Sequence, residues 1–135
     1  MRTSPNKMLA TIFGAVYLLV GLVGFFVTSG VGFFATEGRN LIVFEVNPLH
    51  NVIHLLIGAA LLAAGLRSVP AAKAVNSTVG SVYLLVGIVG LFLPGTSLNI
   101  IALNGADNVL HLASALVLLA VGLSQDRTAP ARVVA

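Results

Sequence analysis

GAVYLLVGLVGFF, from Gly14 to Phe26, returns as GSVYLLVGIVGLF, from Gly80 to Phe92. A second pair follows: Asn51-Val-Ile-His54-Leu is matched by Asn108-Val-Leu-His111-Leu. The chain reads as one apolar hairpin written twice, with an Asn-x-x-His near the start of each second helix. A supersecondary unit used twice in this way buries its apolar face against its copy.

The 135 residues are 58% hydrophobic and 8% charged, with a mean hydropathy of +1.05. Soluble domains carry about 25% charged residues, so this chain lacks the polar groups to cover a water-facing surface. Four stretches approach the roughly 20 apolar residues that cross a bilayer core: Met8–Val27, Leu49–Leu66, Val75–Leu93 and Ala106–Leu123. Helices satisfy their own backbone at that depth. The expected fold is an all-α membrane protein, a four-helix up-down-up-down bundle of two parallel hairpin repeats in a single domain spanning 1–135. The repeats cover about 8–66 and 75–123, with polar tails at 1–7 and 125–135.

Charge placement orients the chain. Arg2 and Lys7 precede the first span, Arg67 and Lys73 separate the second from the third, and Arg127 and Arg132 follow the fourth. Only Arg39 lies on the other side, with Glu37, Glu45 and Asp107. The positive-inside rule then expects both termini in the cytoplasm of a cell whose inner, or plasma, membrane holds the protein. The basic residues are split among short segments with no aromatic platform, which argues against nucleic acid as a partner. The absence of cysteine excludes disulfides and thiolate chemistry. Helix one lacks a small-x-small cleavage site at the right place, and its copy in helix three argues that it stays as a packed helix rather than a signal peptide.

The connections carry their own signals. Pro70 marks a turn in the inner connection Arg67–Lys73. Each outer loop has a turn followed by a short apolar run bounded by Asn, Asn40 to Asn47 in the first and Asn99 to Asn104 in the second. Periodicity leaves strand and interfacial coil equally open there. The runs are expected to fold back over the outer mouth of the bundle.

The second helices of the two copies share 10 of 20 residues between Asn47–Leu66 and Asn104–Leu123. The shared stripe is Asn47, Asn51, His54, Gly58, Leu61 and Gly65, against Asn104, Asn108, His111, Ala115, Leu118 and Gly122. Steps of about three and four trace one helical face. The expectation is that this face looks toward the partner helix and brings His54 close to His111, with Asn51 and Asn108 as neighbours, His50 and Asp107 nearer the water, and room beside the rings left by Gly58 and Ala115. Gly14, Gly21 and Gly24 match Gly80, Gly87 and Gly90, the small residues that let membrane helices approach closely, expected here to pack helix one on helix three. Tyr17 and Tyr83 lie among them, each needing a hydroxyl partner, by default a backbone carbonyl.

Four readings of the histidines stand side by side, one of them proton or ion handling by intramembrane polar groups. His50, His54, Asp107 and His111 form an N/O donor set suited to zinc or another divalent metal. His54 and His111 alone suit the two axial positions of a haem. The plain alternative is a polar knot of imidazoles with Asn51 and Asn108, hydrogen-bonded among themselves and to helix ends. No nucleophile elbow, H-E-x-x-H or phosphate-cradling loop is present, so no catalytic residue is expected. Asp126 and Glu37 read as solvated, and Asp107 reads equally as a helix N-cap.

The string Asn47-Pro-Leu-His50-Asn-Val-Ile-His54-Leu-Leu-Ile-Gly58, with Ala106-Asp107-Asn-Val-Leu-His111-Leu, resembles bacterial membrane proteins of domain-of-unknown-function family 4383. The resemblance runs from about Lys7 to Leu123. It implies a small four-helix membrane protein and brings no activity, substrate or catalytic residue. The role expected is non-enzymatic: a structural or accessory subunit of a larger membrane complex, or a self-associating protein in the lipid bilayer. The alternatives are a metal- or haem-binding redox protein using the histidines and a small oligomeric transporter. The transporter is disfavoured because no charge lies mid-membrane and no span has a clear Pro break.

Overall fold

Ser4, Asn47, Ser68 and Asn104 each stand just before a helix, and each side-chain oxygen accepts a backbone N–H three residues on: from Lys7 (3.3 Å), His50 (2.8 Å), Ala71 (3.3 Å) and Asp107 (3.0 Å). Such caps satisfy donors that a helix start leaves free. Proline follows in three of the four first turns, as Pro5, Pro48 and Pro70, where its missing N–H costs nothing. The computed structural model describes residues 4–126. These caps open α1 (Pro5–Val27), α2 (Pro48–Arg67), α3 (Val69–Gly90) and α4 (Gly105–Ser124), with short strands β1 (Arg39–Leu41) and β2 (Phe44–Val46) between α1 and α2. All four helices are long and apolar enough to cross a membrane.

Pro70 does not make a turn. It sits in the first turn of α3, which begins at Val69, so Ser68 alone separates α2 from α3. The cap of Ser68 and the tolerance of proline at a helix start extend α3 back over the expected linker. Of the basic residues read from sequence, Arg2, Arg127 and Arg132 lie outside the described residues, as does most of the expected C-terminal tail.

The glycines pack differently from the expectation. A Cβ on Gly14 would overlap Leu62 of α2, and one on Gly21 would meet Leu55 of α2 at 2.8 Å. On α3, a Cβ on Gly80 would meet Leu119 at 2.9 Å and one on Gly87 would meet Leu112 at 2.7 Å, both on α4. The glycine seams therefore join α1 to α2 and α3 to α4, inside each hairpin, and not α1 to α3. Contacts run in opposite sequence directions along both seams, so each pair is antiparallel. Gly65 and Gly122 supply the reciprocal notches, at Thr11 and Ser77. Gly58 is likewise filled by α1, through Leu18 and Gly14, and leaves no room beside the histidines.

α1 and α3 meet through larger groups. Their tyrosines touch edge to face, Tyr17 to Tyr83 with ring centroids 5.5 Å apart. Leu61 and Leu118, fully buried, complete the centre with Ala10, Ala72, Val79 and Ala115. The outward faces are apolar and exposed, as with Leu19, Leu56, Leu85 and Leu116.

The loops meet over one end. β1 and β2 pair antiparallel with Leu41 opposite Phe44, which leaves Ile42 and Val43 as the tip. Ile42 has φ +64°, a region costly to a β-branched residue. The first loop is thus a hairpin and the second a run of turns. Asn47 Nδ2 donates to Ala35 O of the first loop and to Ile100 O of the second, both at 2.7 Å. Asn104 Nδ2 donates to Val43 O at 2.9 Å.

The opposite end is tied by residues the sequence reading did not single out. Asn6 and Asn76 are fully buried. Asn76 Nδ2 donates to Asn6 O and Oδ1, each at 3.0 Å. Asp126 is not free in solvent: its Oδ2 accepts from Ser4 Oγ (2.6 Å), Asn6 N (3.1 Å) and Asn6 Nδ2 (3.0 Å). These donors, the Ser4 hydroxyl first, hold its carboxyl below the usual carboxylate range.

Candidate functional site

His50 and His54 project from α2 one turn apart, and His111 projects from α4 toward them. One ring nitrogen of each lies within 4.8 Å of the other two. The His50 ring centroid is 4.5 Å from that of His54 and 5.9 Å from that of His111. All three are buried, His50 at 2% exposure, so His50 is not the water-facing member. The hairpin and the Asn99–Asn104 loop cover this end, with Val46 and Leu103 fully buried beneath them. Each hairpin contributes a tyrosine: Tyr17 lies parallel to His54 at 5.6 Å, and Tyr83 lies 5.0 Å from His111.

The asparagines do something else. Asn51 Nδ2 donates to Thr28 Oγ1 (3.0 Å), and Asn108 Nδ2 donates to Gly90 O (2.7 Å). Each fastens the start of a second helix to the end of the first, in the space opened by Gly24 or Gly90. The expected stripe thus divides: Asn51, Gly58 and Gly65 face α1, while His54 and Leu61 face the centre.

Asp107 is the member of the expected donor set that stands apart. It caps its own helix, with Oδ2 accepting from Asn104 N (2.9 Å) and Glu45 N (3.1 Å). It holds β2 against α4 and is buried. The counterpart of His50 in the second copy is therefore a structural carboxylate.

Among the described residues, Nδ1 of His50, of His54 and of His111 is buried without a hydrogen-bond partner, as is the Tyr83 hydroxyl, which finds no backbone carbonyl there. Three imidazoles, each offering a ring nitrogen within 4.8 Å of the other two, make a donor set for an acceptor of lone pairs.

A cavity of about 270 Å³ adjoins the cluster. Ile12, Val16 and Val20 of α1 and Leu110 of α4 form its sides, Phe44 and Val46 its roof. His54, His111, Asp107 and Ser114 supply its polar end. Ser114, which no sequence signal marked, lies one turn along α4 from His111.

The profile of the family described as a domain of unknown function (DUF4383) matches residues 7–124. The chain belongs to that family. The match covers all four spans, the hairpin and the histidine cluster. No curated protein and no solved structure matches it.

Proposed function

We propose that this four-span membrane protein binds a divalent transition-metal ion through His50, His54 and His111. The observation that carries the reading is the convergence of three buried imidazoles whose Nδ1 atoms have no other partner. Zinc–imidazole bonds are about 2.0–2.1 Å, which puts nitrogens around a tetrahedral ion about 3.4 Å apart. The present spread of at most 4.8 Å closes with modest side-chain rotation. Three protein nitrogens leave a fourth position open, as in zinc sites that take water or a ligand. Haem fits less well than an ion. A third imidazole within 4.8 Å of the other two stands in the disc that a macrocycle needs between axial ligands.

The wider setting belongs to the same reading. The chain is taken as two parallel hairpin repeats forming an up-down-up-down bundle in the inner (plasma) membrane. The lysines and arginines flanking the spans support cytoplasmic termini. The role is read as non-enzymatic.

The test is metal analysis of detergent-purified protein, with a zinc titration. One ion per chain is expected, and His50→Ala, His54→Ala and His111→Ala should each weaken binding more than about 100-fold, beyond what loss of an outer-shell contact costs. Wild-type protein that takes up no stoichiometric zinc, or that binds as tightly without His50, would end the proposal.

A second reading, an accessory subunit of a larger membrane complex, draws support from the loop end. Phe33, Phe34, Ile42, Val43 and Leu98 are all exposed there. Apolar loop residues at a membrane surface suit either the interface or a protein partner. Crosslinking from Phe34 or Leu98 before mild-detergent purification tests this: adducts to lipid alone would dismiss it.

A further inference from the structure

The cavity beside the cluster opens sideways. Its rim is formed by Ile12, Val16 and Leu110, which stand 53%, 49% and 38% exposed on the outer faces of α1 and α4. Along these faces the surroundings are lipid, so whatever enters must first dissolve in the bilayer. α1 and α4 touch each other sparsely compared with the glycine seams, which is why the gap exists there.

The chemistry of the lining narrows the occupant. Among the described residues no Lys or Arg lines the cavity, so no described side chain there would neutralise a phosphate or sulfate headgroup. Phe13, Tyr17 and Phe44 offer ring faces and edges. The polar end carries two imidazoles, each able to donate or accept, the Ser114 hydroxyl, and a carboxylate that accepts. About 270 Å³ lies just under the roughly 300–1,000 Å³ of ordinary ligand pockets, enough for one substituted ring with its tail left in the lipid.

We infer that this cavity is a lateral binding site for a lipid-soluble quinone. The ring lies between α1 and α4, a carbonyl oxygen accepts a hydrogen bond from His54 or His111, and the tail leaves between Ile12 and Val16 of α1 and Leu110 of α4. His54 and His111 belong both to the imidazole cluster and to the cavity; His50 belongs to the cluster alone, so it is the residue that separates this inference from the metal reading.

The chain reports on this site by itself. It has no tryptophan and two tyrosines. Tyr17 lines the cavity and Tyr83 touches Tyr17. Tyrosine fluorescence of the purified chain in lipid nanodiscs is titrated with a benzoquinone bearing a ten-carbon tail. Saturable quenching at one quinone per chain is expected. Ile12→Phe/Val16→Phe, which fills the mouth from the lipid side, should leave only quenching that rises linearly with quinone. A cyclohexane with the same tail, lacking the carbonyls, should not compete. Linear quenching in the wild type, equal saturation in the plugged variant, or full competition by the cyclohexane analogue would each overturn the inference, the last by making the site a pocket for a plain lipid tail. If the plugged variant does not fold, His54→Ala/His111→Ala, which removes both candidate donors, replaces it and should weaken quinone binding at least tenfold; unchanged binding there also overturns the inference. Zinc and quinone come apart cleanly: His50→Ala should lose zinc and keep saturable quenching, and the plugged variant the reverse.

Discussion

Gly90→Ala tests the fastening between the helices of a hairpin. The added methyl lands on the Asn108 amide, which must swing away and give up its 2.7 Å bond to Gly90 O. Losing a buried hydrogen bond while leaving its partners unpaired costs about 1–3 kcal/mol, and crowding a packed contact costs about 1–3 kcal/mol more. Alanine recovers about 1 kcal/mol over glycine within a helix. The net expectation is a loss of about 1–5 kcal/mol. Asn108→Ala alone should cost about 1–3 kcal/mol. In the double variant the new methyl occupies space the amide has vacated, so the two losses should not add. The coupling should reach at least about 1 kcal/mol. The assay is reversible unfolding in mixed micelles of increasing denaturing detergent, followed by far-ultraviolet circular dichroism, for the parent, both single variants and the double. Additivity within about 0.5 kcal/mol would mean that Gly90 and Asn108 do not share that space, and the account of both hairpin fastenings, Gly24 with Asn51 included, would fall with it.

Gly14→Ala should be worse than Gly90→Ala and resist rescue, because its methyl meets the Leu62 backbone rather than a side chain that can turn away; recovery with Leu62→Ala would refute this. Ile42→Gly should raise the melting temperature, since glycine removes a left-handed strain of about 1–2 kcal/mol at φ +64°; a lower value would mean that the Ile42 side chain holds the hairpin down. Asn76→Ala should cost roughly 0.6–1.7 kcal/mol, the range for polar contacts between membrane helices, and the same detergent titration reads it. Asp126 has a depressed folded-state pKa, so its contribution is present above the ordinary carboxylate range and lost as pH falls through the lowered value; Asp126→Asn should flatten that acid limb of a melting-temperature profile, and an unchanged limb would assign it to another group.

The repeat made much of the architecture legible. Asn47, Asn51 and His54 recur in register in the second copy, and their common stripe marked a buried face before any coordinates. What the stripe could not say is which neighbour each residue faces. A residue seven along from Asn51 and one three along from it share a side of the helix, yet Gly58 meets α1 and His54 meets the centre. The glycine seams were misassigned for the same reason, since small residues announce a close contact without naming the helix on the other side. Asn6 and Asn76 had a readable signal that went unused. Asn76 continues the buried steps of Ala72, Val79 and Tyr83 on α3, where an amide requires a partner. Asp107 replaces His50 when the copies are aligned, which suggests a ligand, and also suits a helix cap; its place three residues after Asn104 favours the cap, which the structure has. The cavity had no sequence signature, because its walls come from the first and last helices and its roof from a loop.

That last arrangement governs when the site comes into being. The first hairpin is joined to the second through Ser68 alone, and its glycine seam needs nothing from α3 or α4. It can close as soon as α2 has left the ribosome, the order in which chain segments generally fold during synthesis. The wall that α4 supplies, with His111 and Ser114 on it, enters the bilayer last. Until then the α1 side of the cavity and the imidazoles of His50 and His54 lack their α4 neighbours. An insertion that stalls after the third span would leave the first hairpin with its glycine seam and without the α4 wall that carries His111 and Ser114.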